Sequence, residues 1–148
     1  MKSLIKNVTD TTIGLDTLPL RIGAGAIFAA HGAQKLFGWF GGYGLEGTAG
    51  WMTSIGLEPG LLMAVGAGSA EFFGGLLLIA GLLVRPAALV LAITMIVAIM
   101  TVHLQNGLFM SNNGYEFGLA LLVVSIGLVF RGAGSFSADR ALQSQLAK

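Results

Sequence analysis

The chain has 148 residues, of which 55% are hydrophobic and only 10% charged, and its net charge is +1. A soluble domain carries about 25% charged residues, so this composition excludes an ordinary water-covered surface, and the near-neutral balance leaves no electrostatic footprint for nucleic acid. Cysteine is absent, which excludes disulfides, a thiol redox couple and thiolate metal ligation.

The expected solvent is lipid, in keeping with a mean hydropathy of +0.82. A span needs roughly 20 apolar residues to cross about 30 Å of hydrocarbon. Residues 1–17 mix polar and apolar types and read as a cytoplasmic segment able to form a surface helix, without the small-residue cleavage pattern of a secretory signal. The first span runs from Leu18 to Phe37 and is the most polar, with Arg21, His31, Gln34 and Lys35. A glycine-rich connection from Gly38 to Pro59 follows, with a short interfacial helix expected over Gly47 to Ile55. The second span, Gly60 to Val84, carries a single charge, Glu71. Gly66, Ala70 and Gly74 form a small-xxx-small stripe that admits another backbone. Gly68, Glu71 and Gly75 share the adjacent face, which aims Glu71 at neighbouring helices rather than at lipid.

Arg85-Pro86 stops the second helix and opens the third, because proline in a first helical turn forfeits no hydrogen bond. The third span runs from Pro86 to Leu104 and meets no ionisable group before His103. Gln105 to Gly114 is dense in turn residues. The fourth span, Tyr115 to Phe130, starts with Glu116. The expected fold is all-α: an integral-membrane four-helix bundle over residues 18–131, with residues 132–148 as a cytoplasmic tail. Lys2, Lys6, Arg21, Arg85, Arg131, Arg140 and Lys148 all fall on one side of four crossings, so the positive-inside rule puts both termini in the cytoplasm, N-in and C-in. Trp39, Tyr43, Trp51 and Tyr115 gather on the other side as an interfacial belt.

Ionisable groups inside hydrocarbon are costly and mark candidate sites. At about 1.5 Å per residue, Glu71 lies roughly 17 Å below the outer end of its helix, His31 roughly 12 Å below Trp39 and Lys35 roughly 6 Å below it. His103 and Glu116 sit within about a turn of the outer ends. Each helix thus contributes a polar group to the outer half, and the inner half holds almost none. The pattern describes a polar funnel open to the outside and ending at Glu71. His31, Gln34 and Lys35 share one helix face, and Lys35 is expected to pair with Glu71 or Glu116. Arg21 reads as a cytoplasmic anchor that snorkels to water.

Three chemical readings compete for these residues, beside a purely structural one. Quinone carbonyls want hydrogen-bond donors, and their reduction needs proton exchange with His or Glu. A bundle with histidines on two helices can hold haem, but the unequal depth of His31 and His103 argues against it; a His/Glu metal site is weaker still, and none is assigned. Intramembrane Glu and His also mark proton or solute paths, and the same charges can serve only to hold helices in register.

Four stretches resemble one family in order along the chain: RIGAGAIFAAHGAQKLFGWFGGYGLEG at Arg21 to Gly47, AEFFGG at Ala70 to Gly75, TVHLQNG at Thr101 to Gly107, and NGYEF at Asn113 to Phe117. Together they look like the DoxX family, from about Leu18 to Arg140. The resemblance implies a four-helix membrane protein of bacteria. Its relatives include a subunit of a terminal quinol oxidase, a protein linked to thiosulfate:quinone oxidoreductase, and proteins associated with thiol-redox partners. His31, Gln34, Lys35, Glu71, His103, Tyr115 and Glu116 occupy the family's patterned polar positions, while Gln105 stands where many relatives have proline.

The expectation is a redox-associated subunit of the bacterial inner membrane, accessory to a quinone-linked oxidoreductase. Glu71 and His31 would exchange protons, and His31, Gln34, Lys35, Glu71, His103 and Glu116 would hold the quinone. Lacking a redox centre of its own, it would work with a redox protein or as a homo-oligomer. The alternatives are a small-solute or proton permease, and a membrane scaffold or assembly factor.

Overall fold

The computed structural model describes residue 7, residues 9–11 and residues 14–146. The surface helix expected over the first seventeen residues lies largely outside the described residues. So do Lys2, Lys6 and Lys148, three of the charges used for orientation.

Among the described residues the fold is all-helical, with six α-helices and no strand. Helix α1 is Thr17–Phe37 and ends at Gly38, whose φ of 72° is the left-handed stop that glycine supplies without strain. A short 3-10 turn at Trp39–Gly41 leads to α2, Gly44–Ser54, the short helix expected in this connection. Helix α3 is Gly60–Ala80 and α4 is Val84–Ala98, prolonged through a π turn at Ile99–His103 and a 3-10 turn at Leu104–Asn106. Helix α5 is Glu116–Arg131 and α6 is Ala138–Leu146. Two segments, Gly60–Ala80 and Val84–Asn106, are long and apolar enough to cross a membrane by length and composition.

The α3–α4 boundary differs from the sequence reading. Gly81, not Arg85-Pro86, ends α3: its φ is 66°, its N–H bonds Leu78 O at 3.1 Å, and Leu82 N bonds Leu77 O at 3.0 Å. This is the paired wrap-back of a Schellman stop. Leu83 also adopts a left-handed backbone, with φ of 50°, so the turn closes in three residues and Pro86 falls inside the first turn of α4.

Helices α1 and α3 run antiparallel with their backbones almost touching. A Cβ on Gly32 would lie 2.3 Å from Phe72 N, and one on Gly75 would lie 2.5 Å from Ala29 N and Gly25 O. The expected Gly66, Ala70, Gly74 stripe is not this interface: Gly66 faces open space and Gly74 faces Leu91 of α4. The contact is made one face over, by Gly68 and Gly75 against Gly25 and Gly32. Helix α4 packs on α5, with Ile99 against Gly118. Helix α3 joins the two pairs, and α5 meets α1 along a narrower contact. The core contains Phe28, Leu78, Val84, Leu91, Met95, Leu121 and Leu128. Large apolar side chains such as Leu62, Val97, Val123 and Phe130 point outwards from several helices.

Candidate functional site

Two stripes of side chains line the interior. On α1 these are Arg21, Ala24, Phe28, His31 and Lys35, at alternating steps of three and four residues; on α3 they are Ala64, Gly68, Glu71, Gly75 and Leu78. Burial along the α1 stripe changes halfway. Arg21, Ala24 and Phe28 are buried, whereas His31 is exposed and Lys35 is partly so. The cause is side-chain volume. Phe28, Leu78, Leu91 and Leu128 fill the lower layers completely. The upper layers are met by Ala64, Gly68 and Gly118, which fill little space.

At this step in packing, Lys35 Nζ meets Glu71 Oε2 at 2.5 Å, with 24% and 5% of the two side chains accessible. Gly68 makes the reach feasible: its missing side chain lets the Lys35 Cβ pass 3.4 Å from where a Cβ would stand and lets Leu36 pack beside it. Thr48 of α2 donates to Lys35 O at 3.3 Å and fastens the top of α1. Taking both charges from water is costly, and a direct charge-assisted bond offsets that cost only when its geometry is close. Among the described residues no fully buried side-chain nitrogen or oxygen lacks a partner. Lys35 does not bond Glu71 Oε1, and 5% of the Glu71 side chain is accessible. His31 lies one turn below Lys35 on the same stripe, with its ring 6.0 Å from that of Phe117 on α5.

The other expected site residues are held elsewhere. Gln34 Nε2 donates to Phe40 O at 3.3 Å and ties down the loop after α1, where Phe40 has a left-handed φ of 54°. His103 Nδ1 contacts Asn113 O at 2.9 Å, and Asn106 Nδ2 donates to the same oxygen at 3.2 Å. Glu116 Oε1 accepts from Met110 N at 2.6 Å, so Lys35 pairs with Glu71 and not with Glu116. Gln34, His103 and Glu116 thus shape the loop after α1 and the connection between α4 and α5, and the structure brings together Lys35, Glu71 and the neighbouring His31. Tyr115, at the head of α5, is partly buried. No group of three or more His, Asp or Glu able to hold a metal occurs among the described residues. A groove of about 280 Å³ between α3 and α4, lined by Phe73, Gly74, Leu83 and Pro86, is apolar and includes none of these groups.

Arg21 does not snorkel. Only 1% of it is exposed, and its guanidinium donates to Ala133 O at 2.9 Å, Leu78 O at 3.2 Å, Ile79 O at 2.9 Å and Phe136 O. The carbonyls ending α3 have no partner within their helix; Arg21 supplies one to Ile79 O and adds a second to Leu78 O, which Gly81 N already bonds. Asp139, 1% exposed, does the converse for α4, accepting from Leu83 N at 2.7 Å and Val84 N at 3.0 Å. The end of the helices that holds Arg21 and Asp139 therefore carries its own buried polar network, which the composition-based reading of that half as nearly free of polar groups missed. The signal that could have found it is position: Arg21 starts the stripe that His31 and Lys35 continue.

The family model for DoxX matches residues 17–104. A Bacillus subtilis (strain 168) protein named "Putative oxidoreductase CatD" is 38% identical over 125 residues, covering 84% of this chain and 85% of the relative. A Haemophilus influenzae protein named only as uncharacterized is 33% identical over 127 residues, covering 81% and 85%. No solved structure matches the chain.

Proposed function

The chain belongs to the DoxX family, and from that premise we propose that it is a redox-associated inner-membrane subunit whose Lys35–Glu71 pair, with His31 beside it, receives a quinone head group. In this reading the protein is a four-helix bundle of α1, α3, α4 and α5, with α2 lying at the outer interface and both termini in the cytoplasm. The observation that carries the reading is the 2.5 Å pair, set where the packed interior gives way, with 5% of the Glu71 side chain accessible.

The residues divide the work by their chemistry. Lys35 Nζ has three donors and spends one on Glu71, so it can donate to a quinone carbonyl. Reducing a quinone to a quinol takes two electrons and two protons; Glu71 and His31 are placed to pass the protons, replenished from water at the outer end. The electrons come from a partner protein, as suits a chain without cysteine and a relative named for oxidoreductase activity. The permease alternative is disfavoured by the inner half, where Phe28, Leu91 and Leu128 fill the interior above the Arg21 network.

The test is equilibrium binding of a decyl-tailed benzoquinone to the protein in lipid nanodiscs, read by quenching of its two tryptophans, Trp39 and Trp51. Lys35→Met should weaken binding by about tenfold or more, the loss of one charge-assisted hydrogen bond, and Glu71→Gln should weaken it by removing the carboxylate that holds the Lys35 ammonium in place, while Gly66→Ala, which meets open space, leaves it unchanged. Absent binding in the wild type, or equal binding in Glu71→Gln, would overturn the reading.

A further inference from the structure

A pocket that opens only upwards would take ligands from water. The geometry of α1 and α5 points to a second opening, through the side. His31 belongs to two rows of α1 at once. It continues the interior stripe of Ala24 and Phe28, and it continues the outer row of Leu20, which is 46% exposed, and the partly buried Ile27. A residue on both rows stands at the edge where the interior meets the surroundings, and His31 is exposed there. Opposite stands Phe117, 37% exposed, whose ring is tilted 48° to the imidazole at 6.0 Å. One turn further along each helix, Phe28 and Leu121 are buried in the core. The contact of α5 with α1 is narrower than that of α3 with α1.

We infer that the His31–Phe117 contact is the lateral gate of the site, through which a membrane-dissolved, tailed aromatic carrier passes from the bilayer while its tail remains between α1 and α5. The inference rests on the quinone reading above and adds the route and the class of ligand: lipid-dissolved rather than water-borne. Phe117 moves aside by side-chain rotation, its ring lying beside the exposed imidazole and being itself 37% exposed. The carrier's ring then passes His31 and reaches Lys35 Nζ and Glu71 Oε1. Protons take the separate, outer path. Phe117 is a gating residue; it donates nothing to the reacting atoms.

The chain has no cysteine, so single substitutions can be labelled cleanly. Phe117→Cys and, as controls, Ala120→Cys on the exposed side of α5 and Gly50→Cys on α2 are each prepared with and without a bulky maleimide. Two probes are used: a dimethoxy-methyl benzoquinone without a tail, and the same ring bearing a decyl tail. The label on Phe117→Cys should slow association of the tailed probe by about tenfold or more, and leave the tail-less probe within about twofold. Comparing labelled with unlabelled protein of the same variant removes folding from the question. Labels at Ala120→Cys and Gly50→Cys should leave both probes unaffected. Normal association of the tailed probe with labelled Phe117→Cys, or blockage by the label on Gly50→Cys instead, would overturn the lateral route while the quinone reading stood. A wild type that binds neither probe would overturn both.

Discussion

Lys35 and Glu71 are worth separating because each is costly without the other. Removing one partner of a buried pair leaves an uncompensated charge, which typically costs about 3–5 kcal/mol, while removing both can be nearly neutral. Lys35 is partly accessible, so the lower end of that range applies. Thermal unfolding in a mild detergent should show Lys35→Met and Glu71→Gln each destabilising, and the double variant closer to wild type than either sum allows. Strict additivity would mean the two groups do not interact. Sequence narrowed the partner of Lys35 to Glu71 or Glu116, and the choice of Glu71 came from the packing that sets Gly68 beside Lys35. The roles of Gln34, His103 and Glu116 were not legible. Their partners are the backbone groups of Phe40, Asn113 and Met110, set by loop conformations that periodicity does not encode.

Between elements, glycine position decides how the helices meet. Gly32→Ala would drive a methyl into the Phe72 backbone at 2.3 Å, and Gly75→Ala into Ala29 at 2.5 Å. Each should destabilise by about 1–3 kcal/mol or more as overpacking, while Gly66→Ala should be neutral or slightly stabilising, since alanine favours helix. Equal effects at Gly32 and Gly66 in the same unfolding assay would contradict the α1–α3 contact. Sequence spacing identified a glycine face on α3 but could not choose between two adjacent stripes, because both repeat at helical steps; the choice depends on Gly25 and Gly32 of the partner helix. The inner network holds three elements in the same way. Arg21→Leu takes the donor from Ile79 O of α3 and Phe136 O before α6, while Leu78 O and Ala133 O keep Gly81 N and Thr17 Oγ1, and should cost roughly 1–3 kcal/mol for each carbonyl left unsatisfied. Burial pushes the Asp139 carboxyl above its ordinary 3.8, against the pull of the Val84 and Leu83 N–H groups. A carboxyl raised on folding lowers stability as pH climbs from its unfolded value through its folded one. Asp16 has the opposite sign: its hydrogen bond from Arg131 holds it below 3.8, so its contribution is present above that value and lost as pH falls through the lowered one. A pH series of unfolding midpoints should therefore lose its decline above pH about 4 in Asp139→Asn and keep it in Asp16→Asn; the reverse would contradict these environments.

Across the whole molecule, the end that holds Lys35 and Glu71 has small interior residues and partly accessible charges, and the end that holds Arg21 and Asp139 is filled and latched. The extents of α1, α3, α4 and α5 were readable from hydropathy because long apolar runs leave little ambiguity, and only the stop at Gly81 was misplaced. The docking of α6 was not readable, because it depends on Asp139 reaching the α4 backbone 55 residues earlier in the chain. Orientation is tested by labelling intact cells with an impermeant thiol reagent: Gly50→Cys should react from outside and Arg140→Cys only after lysis. The most direct test of the central claim is the accessibility of position 71. In membranes of fixed orientation, Glu71→Cys should react with a small, charged, impermeant thiol reagent added at the outer face, more slowly than Gly50→Cys. Failure to react from that face, or reaction only from the cytoplasmic side, would contradict a polar site opening outwards.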